Sequence, residues 1–310
     1  VATEPILATL DAPVVRARGF LGSTALSDYW ALTKPEVNFL IVVTTFAGFY
    51  LGCASHPQDF PFLLSINTVF GTLLVASGTG TLNQYIERRY DAQMRRTSRR
   101  PLAAGRLKPS SALWFGVALS VVGCVDLAIA VNVLASVLAL ATLLSYLFFY
   151  TPLKRKTPLC VLVGAFPGAM PPLIGWAGAA GRLSFEAWTL FATLFLWQFP
   201  HFMAIAWMYR EDYDRAGYLV LPHDDRVRVR FVDLQTLWPL SALVCASLLP
   251  ALVGGASAFY FIGASLLNLG FFYYGAQFVL RRTNSAARRL LMASIIYLPL
   301  LFVLMLLPRG

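Results

Sequence analysis

Three polar residues stand four apart in this sequence, Asn83, Glu87 and Asp91, and the arginines Arg95, Arg96, Arg99, Arg100 and Arg106 follow them. On a helix the spacing i, i+4, i+8 keeps one face, each step rising about 6 Å. Carboxylate and amide oxygens are hard ligands suited to Mg²⁺, which takes one or two protein carboxylates and fills its shell with water and phosphate oxygens. Guanidinium groups alongside suit phosphate. The chemistry implied is the metal-assisted handling of a phosphate or diphosphate. The same spacing also suits a solvated helix end, and at this point both readings stand.

A second acidic cluster, Glu211, Asp212 and Asp214, lies between Tyr209 and Arg215. Two such clusters on separate helices facing one cavity suit two Mg²⁺ ions around a departing diphosphate. The alternative is a charged loop lying on lipid headgroups. The run Tyr150-Thr151-Pro152-Leu153-Lys154-Arg155-Lys156 places three cations together. It reads as a membrane anchor, or, if the acids bind a metal diphosphate, as a phosphate clamp. His201 sits in the apolar stretch WQFPHF. It is open to three readings: packing, a ligand to porphyrin iron, or proton transfer. His56 and His223 lie in loops and receive no role. Cys53, Cys124, Cys160 and Cys245 form no C-x-x-C pair and read as small packing residues.

What must position these groups is a membrane bundle. Of 310 residues, 58% are hydrophobic and 13% charged, against about a quarter charged in soluble domains. Apolar runs long enough to cross a bilayer fall near 36–54, 62–82, 111–131, 133–150, 159–180, 186–208, 237–255, 257–279 and 290–308. That is nine spans in an all-α, polytopic chain, with a hinge near Asn132 and a break at Gly254, Gly255 and Ser257. Residues 1–34 form a polar lead-in, with a short interfacial helix expected over Ser27–Thr33, and 35–310 the transmembrane domain. Val1–Phe20 lacks an uninterrupted apolar core, so no secretory signal is expected there.

The loops then alternate in charge. The lead-in and the loops after spans 2, 4, 6 and 8 carry 3, 8, 3, 5 and 4 Lys/Arg; the other side carries Arg182 and Arg309. The positive-inside rule places the first group, and both acidic clusters, in the cytoplasm, with the N-terminus inside and the C-terminus outside. The net charge of +10 is thereby read as topology and not as nucleic-acid binding. Span 5 is broken by Gly164, Pro167, Gly168, Pro171, Pro172 and Gly175, as helices that line cavities are. Asp126 lies within span 3, and the sequence names no partner for it.

The pattern Asn83-x-x-x-Glu87-x-x-x-Asp91 resembles the first signature of the UbiA-type intramembrane prenyltransferases, N-x-x-x-D-x-x-x-D. The ordered set NQYIERRYDAQMRRTSRRPL, YTPLKRKT, GAFPGAMPPLIGW and WQFPHFMAIAWMYREDYDRAGYLVLP resembles the branch of that family that farnesylates protohaem IX. The resemblance implies nine transmembrane helices around a central cavity. It implies transfer of farnesyl from farnesyl diphosphate to the vinyl group of haem B with addition of water, giving haem O for terminal oxidases. It also implies Mg²⁺ as cofactor, with haem A synthase or oxidase assembly proteins as neighbours in the pathway.

Carried over residue by residue, Asn83, Glu87, Asp91, Glu211 and Asp212 form the catalytic set. Asn83, Glu87, Asp91 and Asp212 are the metal ligands among them. Arg95, Arg96, Lys154 and Arg155 follow as substrate contacts, and the reading of the residues themselves adds Tyr150 and His201 as candidate substrate contacts. Glu87 departs from the wider family's Asp, and Tyr209 and Tyr213 stand where other branches carry acids. With no Arg/Ser-rich presequence, a bacterial plasma membrane is expected. The alternatives are a related transferase acting on a quinone precursor and a transporter or haem-carrying scaffold. The gathering of acids and bases at one face argues against the last two.

Overall fold

The computed structural model describes residues 25–53, 60–252 and 257–307. Residues 1–24 of the lead-in, His56, Gly254, Gly255 and Arg309 lie outside that range. The described residues are helical, with no strand among them, as the apolar periodicity requires.

Helix α1 (Ala25–Leu32) stands where the short helix was expected. Leu26 and Trp30 are exposed, while Asp28 is buried and paired with Arg106 at 2.9 Å. The long helices follow: α2 (Pro35–Gly52), α3 (Phe62–Asp91) and α4 (Pro109–Asp126). A π-helical turn, Leu127–Val131, ends α4. Asn132, in extended backbone, then caps α5 (Val133–Leu144) by accepting from Ala135 N, and its amide donates to the Ala177 carbonyl at 2.8 Å. The expected hinge is therefore a cap tied to a neighbouring helix. Through a second π-helical turn, Ser145–Tyr150, α5 runs into the short α6 (Thr151–Leu153). The Gly/Pro-rich span breaks at Ala169 into α7 (Cys160–Gly168) and α8 (Met170–Ala180). After α9 (Phe185–Met208) and the short α10 (Arg210–Arg215) come α11 (Asp225–Leu252), α12 (Ala258–Arg281) and α13 (Asn284–Leu306).

These make nine crossings among the described residues. Eight are long and apolar enough by composition alone. The ninth, α12, is 24 residues long, but Tyr260, Asn268, Tyr273, Tyr274 and Gln277 dilute its hydropathy. Its buried polar groups Tyr260 and Asn268 are satisfied inside the bundle, as hydrocarbon demands. Tyr297 Oη donates to Asn268 Oδ1 at 2.7 Å, and Asn268 donates to Ser247 Oγ at 2.9 Å. Outward-facing Phe39, Phe70, Trp114, Ile129, Phe148 and Leu266 are exposed. Such an apolar girdle belongs in lipid; this is an integral membrane protein.

Helix α2 packs on α8, α3 on α4, α9 on α11 and α13, and α12 between α11 and α13. Small residues allow the closest of these approaches. A Cβ on Gly175 of α8 would overlap the Thr45 carbonyl oxygen of α2, and one on Gly78 of α3 would overlap Ser120 Oγ of α4. At the end away from the acid row, a cavity of about 150 Å³ is lined by Leu51, Trp176, Leu190, Tyr260 and Met305, with Glu186 at its wall.

Candidate active site

Helix α3 runs nine residues past the expected end of its apolar stretch, and this extension carries the acid row. The row is not a solvated helix end. Asn83 is 1% exposed, Glu87 5% and Asp91 1%. Burying acids costs free energy unless cations and hydrogen bonds compensate, and each row member has a cation from a different element.

Lys34, in the left-handed turn that starts α2, donates from Nζ to Asn83 Oδ1 at 2.9 Å. The Asn83 amide donates onward to Thr151 Oγ1 at 3.2 Å. Lys154, just past α6, meets Glu87 Oε1 at 2.8 Å. Arg100, in the loop after α3, meets Asp91 Oδ2 at 2.8 Å. The other Asp91 oxygen, Oδ1, is buried with no hydrogen-bond partner. Burial, with the charges of Arg100 and Lys154 nearby, pulls the Lys34 ammonium down to about 7. For Lys154 burial pulls the same way, but the adjacent Glu87 carboxylate outweighs it and holds the ammonium well above the ordinary lysine range.

Aromatic rings wall this cluster. Lys154 Nζ lies 4.4 Å from the Tyr150 ring centroid, and Tyr146 meets Tyr150 edge-on at 4.9 Å. Arg155 stacks over Tyr90 at 4.4 Å and donates to its hydroxyl at 2.6 Å. Tyr218, after α10, is 2% exposed, yet its hydroxyl has no hydrogen-bond partner. Burial, then the charge of Glu87, raises its pKa, so it stays a phenol.

The second acidic motif divides. Asp212 is buried. It accepts from the Arg96 backbone N–H at 3.4 Å and pairs with Arg215 at 3.2 Å. Glu211 is exposed, and no contact of its side chain ties it to the row. Arg96 lies over the Tyr209 ring at 5.2 Å and donates to Tyr213 Oη at 3.3 Å. The tyrosines at the positions where acids were expected are thus its partners. Arg95 is exposed and away from the row. The structure therefore brings Asn83, Glu87, Asp91, Tyr150 and Lys154 together, seats Asp212, Arg96 and Arg155 at the rim, and leaves Glu211 and Arg95 at the surface. His201 lies elsewhere in the bundle, against α13. Asp126 faces Gly71, and its Oδ2 is buried without a partner.

Sequence reading passed over Lys34 and Tyr218, and set Arg100 among the arginines that follow the row without singling it out. Lys34 looks like any cation at the mouth of a span, Arg100 is one of a string, and Tyr218 carries no charge. The one available signal was Lys34-Pro35: proline at the first helical position marks where a helix begins, and so places Lys34 at the mouth of α2.

Among the described residues no three Asp, Glu, His or Cys side chains converge as a ready metal cage. The row nevertheless fits Mg²⁺, which asks for only one or two carboxylates. Asp91 Oδ1 is an orphaned buried oxygen, and Glu87 shares its helix face.

The profile of the UbiA prenyltransferase family matches residues 41–301. A protein named protoheme IX farnesyltransferase from Solibacter usitatus is 48% identical over 293 residues, 92% of this chain and 99% of its own length. One of the same name from Koribacter versatilis is 39% identical over 297 residues, 93% and 94% of the two chains. Among solved structures, a digeranylgeranylglyceryl phosphate synthase superposes with a TM-score of 0.73 at 18% identity, covering 91% of this chain and 97% of its own. A UbiA homolog from Archaeoglobus fulgidus bound to GPP and Mg²⁺ superposes with a TM-score of 0.58 at 13% identity, covering 89% and 99%. With the family profile covering most of the sequence, relatives matched along nearly their whole length, and the acid row lodged in the bundle those structures share, the chain belongs to the UbiA prenyltransferase family.

Proposed function

We propose that this protein transfers a farnesyl group from farnesyl diphosphate to a vinyl group of protohaem IX, with addition of water, forming haem O. The observation that carries the reading is the acid row, in which each of three buried residues is held by a cation from a different element. Such a site is balanced to exchange its internal ion pairs for a metal diphosphate. The names of the relatives supply the acceptor.

In this reading Asp91 and Glu87 hold Mg²⁺, with Asn83 and Asp212 beside them. When bound, the ion supplies charge to offset that building on the departing diphosphate. Lys34, Lys154 and Arg100 then turn from Asn83, Glu87 and Asp91 to the phosphate oxygens, joined at the rim by Arg96 and Arg155. Tyr218 donates its proton to a hydrogen bond from within. As the allylic C–O bond breaks, the rings of Tyr146 and Tyr150 face the farnesyl cation and stabilise it by cation–π attraction. The apolar bundle keeps water away until the vinyl carbon has attacked, after which water adds to the resulting cation and gives up one proton to solvent, leaving the hydroxyl. His201 belongs to the acceptor side. The protein sits in a bacterial plasma membrane with its N-terminus and acid row on the cytoplasmic side, and 35–310 is the catalytic domain.

The test is product formation by purified protein supplied with farnesyl diphosphate, Mg²⁺ and haem B, followed by mass spectrometry. Asp91→Ala and Glu87→Gln are expected to lower the rate at least about a hundredfold, the scale of losing one electrostatic contact to a developing charge, while the proteins still insert. Normal haem O production by Asp91→Ala would refute the site. A farnesylated quinone precursor with no haem product would replace the acceptor.

A further inference from the structure

The geometry points to His201 as an axial ligand to the iron of the haem substrate, bound through Nε2. The inference rests on the reading of protohaem IX as acceptor and adds how the ring is held.

Its first support is a fixed tautomer. His201 Nδ1 lies 2.8 Å from Ser294 Oγ on α13. That hydroxyl has one proton, and it donates at 2.6 Å to the Leu291 carbonyl. Ser294 Oγ is then an acceptor toward His201, so Nδ1 carries the imidazole proton and Nε2 carries the lone pair. A histidine whose one ring N–H is engaged in this way is the usual arrangement of a metal-ligating imidazole, because the outer hydrogen bond sets the ring's orientation and raises its basicity.

Its second support is rigidity. Trp197 stacks on the imidazole with centroids 4.7 Å apart and planes 26° apart. Trp197 Nε1 donates to the carbonyl of the same Ser294 at 2.9 Å, and Phe202 meets the ring edge-on at 5.7 Å. One serine therefore holds both rings.

Third is placement. Trp197 bonds to α13, whereas Gln198 donates to the Ala165 carbonyl of α7 at 3.0 Å. At about 100° per residue, His201 falls about 40° beyond Trp197 and about 60° short of Gln198. It therefore faces the gap between α13 and α7, toward the inside of the bundle. It lies about 10 Å from the α9 terminus, and Asn83 about 12 Å from the α3 terminus, counting about 1.5 Å per residue. The segments just past those termini meet, the Arg96 N–H donating to Asp212 of α10. His201 and the acid row thus lie toward the same end of the bundle.

What remains is an open coordination partner. Nε2 has no hydrogen-bond partner among the described residues, and it is not among the sealed polar atoms. A structural histidine would satisfy both nitrogens, whereas a neutral imidazole with a fixed, accessible lone pair suits haem iron. One axial bond pins the centre and one face of the macrocycle and leaves its vinyl edge free to meet the farnesyl donor.

The experiment is a titration of purified protein with ferric protohaem IX, read by absorption and electron paramagnetic resonance, and in parallel with metal-free protoporphyrin IX. Wild type is expected to show a nitrogen-ligated iron. His201→Ala should lose that signature and bind haem at least about tenfold more weakly, and added imidazole should restore the signature. Metal-free porphyrin should bind both proteins equally, which also shows that the variant keeps its fold. Ser294→Ala, which keeps the imidazole but frees its tautomer, should weaken haem binding by a smaller factor. An unchanged iron spectrum in His201→Ala, an equal loss of metal-free porphyrin, or a wild-type spectrum without nitrogen ligation would each overturn the inference. Haem O formation by wild type in any of those cases would leave the proposed reaction standing. Failure of that reaction despite His201-dependent ligation would instead remove the reaction.

Discussion

At the scale of single residues, the site is a set of buried charges each answered by one partner. Ion pairs taken out of water return their desolvation cost only when the geometry is good and the remaining lone pairs are satisfied. Glu87 has the close geometry, with Lys154 at 2.8 Å; Asp91 leaves one oxygen unanswered. Tyr218 is the second unanswered group. Its phenol is buried, faces Glu87 and stays protonated, so it keeps a proton to donate. Tyr218→Phe removes one oxygen and keeps the ring's contacts with Tyr90 and Tyr213. A fall of about tenfold in kcat, equivalent to about 1.4 kcal/mol, is expected, with haem affinity unchanged. An unaltered rate in steady-state assays would take the hydroxyl out of the reaction. The departure at Glu87 from the wider family's Asp also acquires a physical setting here, because its carboxylate lies within 2.8 Å of Lys154, which enters from another helix.

At the scale of elements, the position of α2 decides whether Lys34 reaches Asn83. Helix α2 is held against α8 by contacts too close for a side chain at Gly175. Gly175→Ala is expected to cost about 1–3 kcal/mol by overpacking and to lower the thermal unfolding temperature in detergent. Because it displaces α2, it should weaken farnesyl diphosphate binding more than haem binding. Equal losses of both would indicate general destabilisation. The breaks in the sequence are equally informative at this scale. Glycines and prolines announced that the fifth span is interrupted, and Asn132 announced a hinge. That Asn132 would also tie its helix to Ala177 was not legible, since nothing local encodes a neighbour 45 residues away.

At the scale of the whole molecule, one face of the bundle carries the acid row, the basic loops and the short helix α1. The opposite face carries short connections and a mostly apolar cavity. The charge alternation predicts that the first face is cytoplasmic. In a background with the four native cysteines replaced, a cysteine at exposed Lys156 should be labelled by an impermeant maleimide only after the cells are opened. One at exposed Arg182 should be labelled in intact cells. The reverse pattern would invert the topology while leaving the site's chemistry intact.

The sequence by itself determined the number of crossings, their approximate limits, the sidedness of charge and the row Asn83, Glu87, Asp91. Hydropathy and helical periodicity are local properties that a linear chain displays directly. Only the tertiary structure decided that the row is buried, which cation answers which acid, that Asp212 is enclosed while Glu211 faces outward, and that Ser294 fixes the His201 tautomer. Each of these depends on side chains brought together from distant positions, as Arg96 and Asp212 are across 116 residues. The free energy of a buried charge is set by the atoms that replace water around it, and no local pattern names those atoms.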